Sequence, residues 1–350
     1  MGFRRAAVVM AGGSGTRFWP VSTPEKPKQF LRLASAHQTL LEQSVGRIQP
    51  LVGEDLFIAT TPELRDATQA LLPKISPNRI LVEPAKRNTL GALVWATAQL
   101  MCKYGQMSRH LSLAVLTADH MISPDDGFRD TATRAFKIAE ENDALVTIGV
   151  PTTRPATEYG YIEKGAELGS GAWYASRFIE KPAEATAIDL VANGNCLWNS
   201  GMFFWTINSF IRELKGTQPA AFEVIKDIVS AVTSDNDAAA KKRFEDVEAT
   251  SIDYAVMERA ANVAVVSADF KWDDLGSWDS LIRGQEGDSD GNVGRGNCRL
   301  VETHGSVVLN ESSGLRVNVL GADDMIVVVT DQEVLVCPKS KAQDVRKLAD

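Results

Sequence analysis

Cysteine is scarce and scattered in this 350-residue chain: Cys102, Cys196, Cys298 and Cys337 form no C-x-x-C pair. That spacing excludes the common zinc arrangements and a dense disulfide framework, and makes reduced, buried thiols in a cytoplasmic protein the expectation. Positive charge is also in deficit, with 37 Lys and Arg against 45 Asp and Glu and a net charge of −8. Nucleic acid and anionic membrane surfaces select a basic face, so neither is expected as a partner. No apolar run reaches transmembrane length. The basic pair Arg4-Arg5 precedes an apolar run too short for a secretion signal, and Ala6 stands where N-myristoylation requires Ser or Thr.

What is present is ordinary globular composition, 44% hydrophobic and 23% charged, at a length that suits one large domain plus a smaller one. Short aliphatic runs at 6–11, 56–60, 79–84, 111–120 and 144–150 alternate with amphipathic stretches at 40–49, 62–72, 88–104 and 127–141. Strands alternating with helices predict an α/β fold: a Rossmann-like, mostly parallel sheet flanked by helices, with ligands at the carboxyl ends of the strands. After residue 150 the rhythm changes, and 196–207 reads as part of a mixed region inserted into the same sheet. The stretch 284–297, rich in Gly, Asp and Asn, predicts a linker. The expected division is therefore a domain over 1–283, the linker, and a small all-β domain over 298–350 that ends in one helix.

The chemistry concentrates in "VVMAGGSGTRFWPVSTPEKPKQFL", residues 8–31. An apolar strand running into Gly12, Gly13, Ser14, Gly15 and Thr16 exposes backbone N–H groups that suit a phosphate. It is not a P-loop, and Phe18 occupies the place of the last glycine of a dinucleotide fingerprint. Without a ligand the same glycines make a tight strand-to-helix turn. Arg17 offers a bidentate fork to a di- or triphosphate, and Lys28 offers a point charge on a loop stiffened by Pro24 and Pro27. Lys26 reads as a solvated surface charge.

These residues resemble the signature of the sugar-nucleotide pyrophosphorylases, and within them of the mannose-1-phosphate guanylyltransferases. The resemblance continues in order through "EPAKRNTLGAL" (83–93), "LTADH" (116–120), "EYGYIE" (158–163), "FIEKP" (178–182), "WNSGMFFW" (198–205), "SIDYAVME" (251–258) and "WDDLGSWDSL" (272–281). It implies nucleotide-sugar biosynthesis: GTP and mannose 1-phosphate would give GDP-mannose and pyrophosphate, with Mg²⁺. It also implies a β-helix-like tail of the kind that supports a dimer in small members.

The residue types agree with such a reaction, which asks for positioning and charge neutralisation more than for acid–base chemistry. Asp119 ends the run "SLAVLTAD" and Asp274 follows a strand-like stretch; each alone reads equally as a turn or cap residue, and the resemblance selects this pair as Mg²⁺ ligands. Asp273 reads as a turn residue. Glu83 is a candidate acceptor for the N1–H and N2–H₂ edge of guanine, or a surface glutamate. Asn88 is either the N-cap of the helix 88–104 or a contact to phosphate or base edge. Leu90 and Gly91 depart from the family's usual residues at that place. By resemblance Glu180 and Asn199 meet sugar hydroxyls, Lys181 meets the sugar phosphate, and Gly160 permits close backbone approach. His120 and the aromatics Trp198, Phe203, Phe204 and Trp205 read as structural.

The competing readings are another sugar-1-phosphate nucleotidylyltransferase (glucose 1-phosphate with UTP or dTTP), a nicotinamide-dependent oxidoreductase on a Rossmann sheet, and a silent sugar-nucleotide-binding relative. The missing third glycine counts against the second, and the intact Arg17, Lys28, Asp119 and Asp274 against the third. His304 alone in the tail is too little for a metal-dependent cupin.

Overall fold

The computed structural model describes residues 2–13, 16–284 and 287–348. They form two compact units that are not consecutive in sequence: one from Met1–Gly12, Val45–Thr117 and Pro124–Phe270, the other from Gly13–Ser44, Ala118–Ser123 and Lys271–Asp350.

In chain order the strands begin β1 (Arg4–Met10), β2 (Leu56–Thr60), β3 (Ile80–Val82) and β4 (Leu111–Thr117), followed by the short β5 (Met121–Ser123) of the second unit. Then come β6 (Leu145–Pro151), β7 (Tyr161–Gly169), β8 (Ala172–Ile179), β9 (Cys196–Thr206) and β10 (Val263–Ser267). The first unit is built on a sheet ordered β3-β2-β1-β4-β9-β6-β10-β8-β7. Its β3-β2-β1-β4 half is parallel, and β9 runs antiparallel between β4 and β6. The region after residue 150 thus joins the same sheet, as the sequence predicts. β2, β4 and β1 from Ala6 onward are near-continuous aliphatic runs because successive residues, which point to opposite faces, are all buried, leaving no solvent side for alternation to mark.

Register sets where ligand-facing residues emerge. Met10 pairs with Ala59 on one side and Thr117 on the other, and Thr60 pairs with Val82, so the carboxyl ends of these strands are level. The helix Asn88–Tyr104 is apolar nearly all round and is buried in the core of this unit, as its composition requires. At the far end of β9, Thr206 stops the strand and starts the helix Ile207–Thr217 through a reciprocal cap: Thr206 Oγ1 accepts from Ser209 N and Ser209 Oγ from Thr206 N, both at 3.0 Å. Trp205 stacks on Phe210 just inside this corner, with centroids 4.7 Å apart. The amphipathic stretch 62–72 proves to be a 3₁₀ turn, Pro62–Leu64, leading into the helix Arg65–Leu71, because Pro62 starts a turn but cannot donate within it.

In the second unit, β5 pairs antiparallel with β11 (Lys271–Asp273), setting Met121 opposite Asp273. The tail strands are β12 (Val293–Arg295), β13 (Cys298–Val301), β14 (Val307–Asn310), β15 (Val317–Leu320), β16 (Met325–Val329) and β17 (Val334–Pro338). Parallel pairs β12–β14, β14–β16 and β13–β15, joined by short turns, give this region its β-helix-like character. β12 lies inside the stretch 284–297. The last segment, Lys339–Leu348, takes 3₁₀ rather than α-helical form. Phe18, Leu31, Leu40, Leu275 and Trp278 share one core with Val307, Leu309, Ile326 and Val328 of the tail. Phe18 meets Trp278 edge-on at 4.9 Å, a geometry worth about 0.5–1.5 kcal/mol beyond the area it buries.

Candidate active site

At the level carboxyl ends of β1, β2 and β3 stand Gly12, Thr61 and Glu83. A Cβ added at Gly12 would lie 3.3 Å from Glu83 Oε1 and 3.4 Å from Thr61 Cγ2, so glycine leaves the Glu83 carboxyl its place. Glu83 is buried, its N–H donates to Thr60 O, and no described residue donates to its side chain. Burial without a partner pushes its carboxyl up to about 7. Asn88 opens its helix with φ +56°, a left-handed geometry that Asn tolerates, and its Oδ1 accepts from the adjacent Thr89 N at 2.7 Å. Gly91 is required here: a Cβ would lie 2.3 Å from Arg87 Cβ and 3.3 Å from Phe244 Cζ, which accounts for one of the departures noted above.

In the second unit the Lys28 ammonium joins a carboxylate and a main-chain carbonyl. Its Nζ lies 2.8 Å from Asp119 Oδ2 and donates to the main-chain carbonyl of Asp274. The β5–β11 ribbon explains how residues 155 positions apart meet: with Met121 opposite Asp273, the chain before β5 lies beside the chain after β11. Desolvation works against the Asp119 charge, but the Lys28 ammonium outweighs it and holds the carboxyl below the usual carboxylate range. The Asp119 side chain remains 37% exposed, so it stays within reach of a ligand. His120 Nδ1 accepts from Trp272 Nε1 at 3.1 Å, a structural bond. Asp273 ends β11 rather than standing in a turn, and its carboxylate holds the chain that leaves the strand: Oδ1 accepts from Leu275 N at 2.8 Å and Oδ2 from Arg283 Nε at 3.1 Å. Arg17 is exposed on a 3₁₀ turn, Thr16–Phe18, and Lys26 is exposed as well. Gln29 Nε2 donates to Gly13 O at 3.0 Å, tying Gly13 to the segment that carries Lys28. Ser14, Gly15 and the Thr16 side chain lie outside the described residues.

Among the described residues no three His, Cys, Asp or Glu side chains gather as a metal site. The partly exposed Asp119 carboxylate, with the chain at Asp274 brought beside it through Lys28, offers the oxygen chemistry of a hard ion such as Mg²⁺, which keeps several waters and takes the rest of its shell from phosphate oxygens.

A third group lies in the first unit around Gly160. Asn199 N donates to Gly160 O at 2.8 Å, and a Cβ at Gly160 would fall 2.4 Å from Glu180 Oε2 and 3.2 Å from Asn199 Cβ. The missing side chain is therefore room for the Glu180 carboxylate. Glu180 N donates to Glu258 Oε1 at 2.6 Å, Oε1 is 3.5 Å from Lys181 Nζ, and Oε2 is buried with no partner among the described residues. Burial, reinforced by the neighbouring Asp253 charge, lifts the Glu180 carboxyl to about 7. Lys181 is half exposed with φ +46°. Trp198, Phe203, Phe204 and Trp205 are buried wall and core. Sequence reasoning missed Asp253, whose Oδ1 accepts from Asn199 Nδ2 at 2.8 Å. It stands within the quoted motif "SIDYAVME", where a lone aspartate at the start of a helix-like run reads as a cap; the π-helical turn Asp253–Met257 that aims it is not written in any periodicity.

The fold and these charged groups define a class. The chain belongs to the nucleotidyl transferase family, whose model matches residues 6–291. Residues 296–350 match the MannoseP isomerase/GMP-like beta-helix domain, in agreement with the parallel turns of the tail. A protein named mannose-1-phosphate guanylyltransferase from Sinorhizobium fredii is 37% identical over 97% of this chain and 66% of its own length. One of the same name from Escherichia coli K12 is 36% identical over 98% of this chain and 72% of its own length. This chain therefore spans about two thirds to three quarters of such relatives. A crystal structure described as a mannose-1-phosphate geranyltransferase from Thermus thermophilus superimposes with a TM-score of 0.87, at 33% identity over 99% of this chain and 98% of that one. All four cysteines carry free thiols, and no described helix is long and apolar enough to cross a membrane.

Proposed function

We propose that the chain transfers GMP from GTP to mannose 1-phosphate, releasing pyrophosphate and forming GDP-mannose. The observation that carries this reading is the Lys28 ammonium, buried and held by Asp119 and by the Asp274 main chain in a family of nucleotidyl transferases. An oxygen of the sugar phosphate attacks the α-phosphorus of the nucleotide in line, and the P–O bond to pyrophosphate breaks. Both reactants are anionic, so the protein's task is to fix them and neutralise charge.

Lys28 is oriented by the Asp119 carboxylate and the Asp274 carbonyl to meet a phosphoryl oxygen, and exposed Arg17 offers its fork to the triphosphate. The backbone N–H groups of the glycine-rich stretch Gly12, Gly13, Ser14, Gly15 and Thr16 are the phosphate-binding groups of this reading. Glu83 accepts from the guanine N1–H and N2–H₂ edge when ionised, and Asn88 stands at the adjoining helix start. Glu180 and Asn199 meet sugar hydroxyls beside Gly160, and Lys181 meets the sugar phosphate. Asp119 and Asp274 are the residues that would hold Mg²⁺, which when bound draws charge from the phosphate oxygens.

The test is a matrix of sugar 1-phosphates against nucleoside triphosphates with Mg²⁺, read as pyrophosphate release. Turnover confined to, or strongest with, GTP and mannose 1-phosphate is expected. Preference for glucose 1-phosphate with UTP or dTTP would replace the substrate pair, and silence with every pair would overturn the reading.

A further inference from the structure

Asn199 sits in an arrangement that fixes more than its position. Its Oδ1 accepts from Gly201 N at 3.1 Å and from Thr147 Oγ1 at 2.9 Å, the nearer of two acceptors for that hydroxyl, the other being Met202 O at 3.1 Å, while its Nδ2 donates to Asp253 Oδ1 at 2.8 Å. A side-chain amide has two lone pairs on oxygen and two N–H donors on nitrogen. Both lone pairs are used and one donor is used, leaving one N–H. The reversed amide would set its NH₂ against the Gly201 N–H and its oxygen against the Asp253 carboxylate, so the partners dictate the orientation. Asn199 and Thr147 are buried, and Asp253, which completes the clamp, is half-buried.

Next to it, the Glu180 side chain is 9% exposed and its Oε2 has no partner among the described residues. A buried acceptor left unmade is costly unless a ligand completes it. Glu180 Oε2 and Asn199 Cβ both border Gly160, so the unmade acceptor and the Asn199 side chain share one small space.

We propose that Asp253 is a positioning residue for sugar recognition: through Asn199 it aims one N–H beside the Glu180 acceptor, so that together they read two neighbouring hydroxyls of the sugar 1-phosphate. This rests on the functional reading above and extends it to a residue that touches no substrate. Asp253 reaches this place because the π-helical turn Asp253–Met257 begins there, and the preceding Ile252 N–H is held by Thr89 Oγ1 at 2.8 Å. The nucleotide is not a party to the clamp, so the effect of losing it falls on the sugar alone.

The experiment compares Asp253→Ala, Asp253→Asn and wild type in steady-state kinetics, with a spectrum of the ¹⁵N-labelled Asn199 side-chain amide in the absence of substrate. In Asp253→Ala the KM for mannose 1-phosphate should rise roughly 10- to 100-fold while the KM for GTP changes less than about twofold. Asn at 253 keeps an acceptor, so Asp253→Asn should recover most of the loss. A set of deoxy-mannose 1-phosphates should locate the hydroxyl: with the analogue that lacks it, wild type and Asp253→Ala become equal. The split between the two Asn199 amide protons should shrink in the alanine variant. An unchanged sugar KM, or a penalty uniform across all deoxy analogues, overturns the proposal. Should Asp253→Ala fail to fold, Thr147→Val loosens the same amide from its other end and should raise the sugar KM in the same direction. If wild type turns over no pair at all, the functional reading falls, and the amide spectra of the Asp253 variants still decide whether the clamp exists.

Discussion

Lys28 Nζ lies 2.8 Å from Asp119 Oδ2, with only 9% of the lysine side chain exposed. This pair couples the segment after the opening glycine motif to Asp119, two positions beyond the end of β4. Lys28→Met should lower kcat/KM by about 10²–10³, the scale for losing one aimed charge in phosphoryl transfer. It should also change the acid limb of stability. In wild type the Asp119 carboxyl is depressed, so its contribution is present above about pH 4 and is lost as pH falls through its folded value. Without the ammonium, burial dominates and the carboxyl rises, so the gap in stability between wild type and Lys28→Met should close as pH falls from about 5 to 3. Urea unfolding across that range measures it; a constant gap would disconnect the two residues.

Asp274 offers Lys28 its main-chain carbonyl, which survives truncation of the side chain. Asp274→Ala should therefore nearly abolish turnover while Tm shifts by no more than about 4 °C. Normal turnover with Mg²⁺ would remove Asp274 from the metal and phosphate chemistry.

Glu83 carries a carboxyl raised to about 7 by burial. The neutral form is favoured in the folded state, so its contribution to stability is full below its unfolded value of about 4.5 and is lost as pH rises through about 7. Glu83→Gln should flatten that slope in the ligand-free protein. The same variant should reduce the preference for GTP over ATP, and in wild type the KM for GTP should rise as pH drops below about 7. An unaltered GTP-to-ATP ratio would take Glu83 out of base recognition.

Gly160→Ala places a methyl 2.4 Å from Glu180 Oε2. The carboxylate must move, so the KM for the sugar 1-phosphate should rise by about tenfold or more while the KM for GTP holds. Equal increases in both would point to a general disturbance of the fold.

Much of the architecture was legible because it follows from local periodicity. The aliphatic runs of β1, β2 and β4 can only be strands covered on both faces, and the short turn-separated strands after residue 297 can only make a small all-β region. The ordered motifs named the family, and the residue types of Lys28, Asp119, Glu83 and Glu180 announced charge chemistry.

What the linear order cannot carry is which distant segments share a core and which polar atoms meet. The core that joins Phe18 and Leu31 to Val307 and Ile326 depends on packing between residues nearly 300 positions apart. Asp253 shows the same limit at the site. Composition supplies an aspartate, but its meaning comes from a π-helical turn and from an amide on another strand, and hydrogen bonds between remote groups exist only once the tertiary fold has paid the entropy of bringing them together.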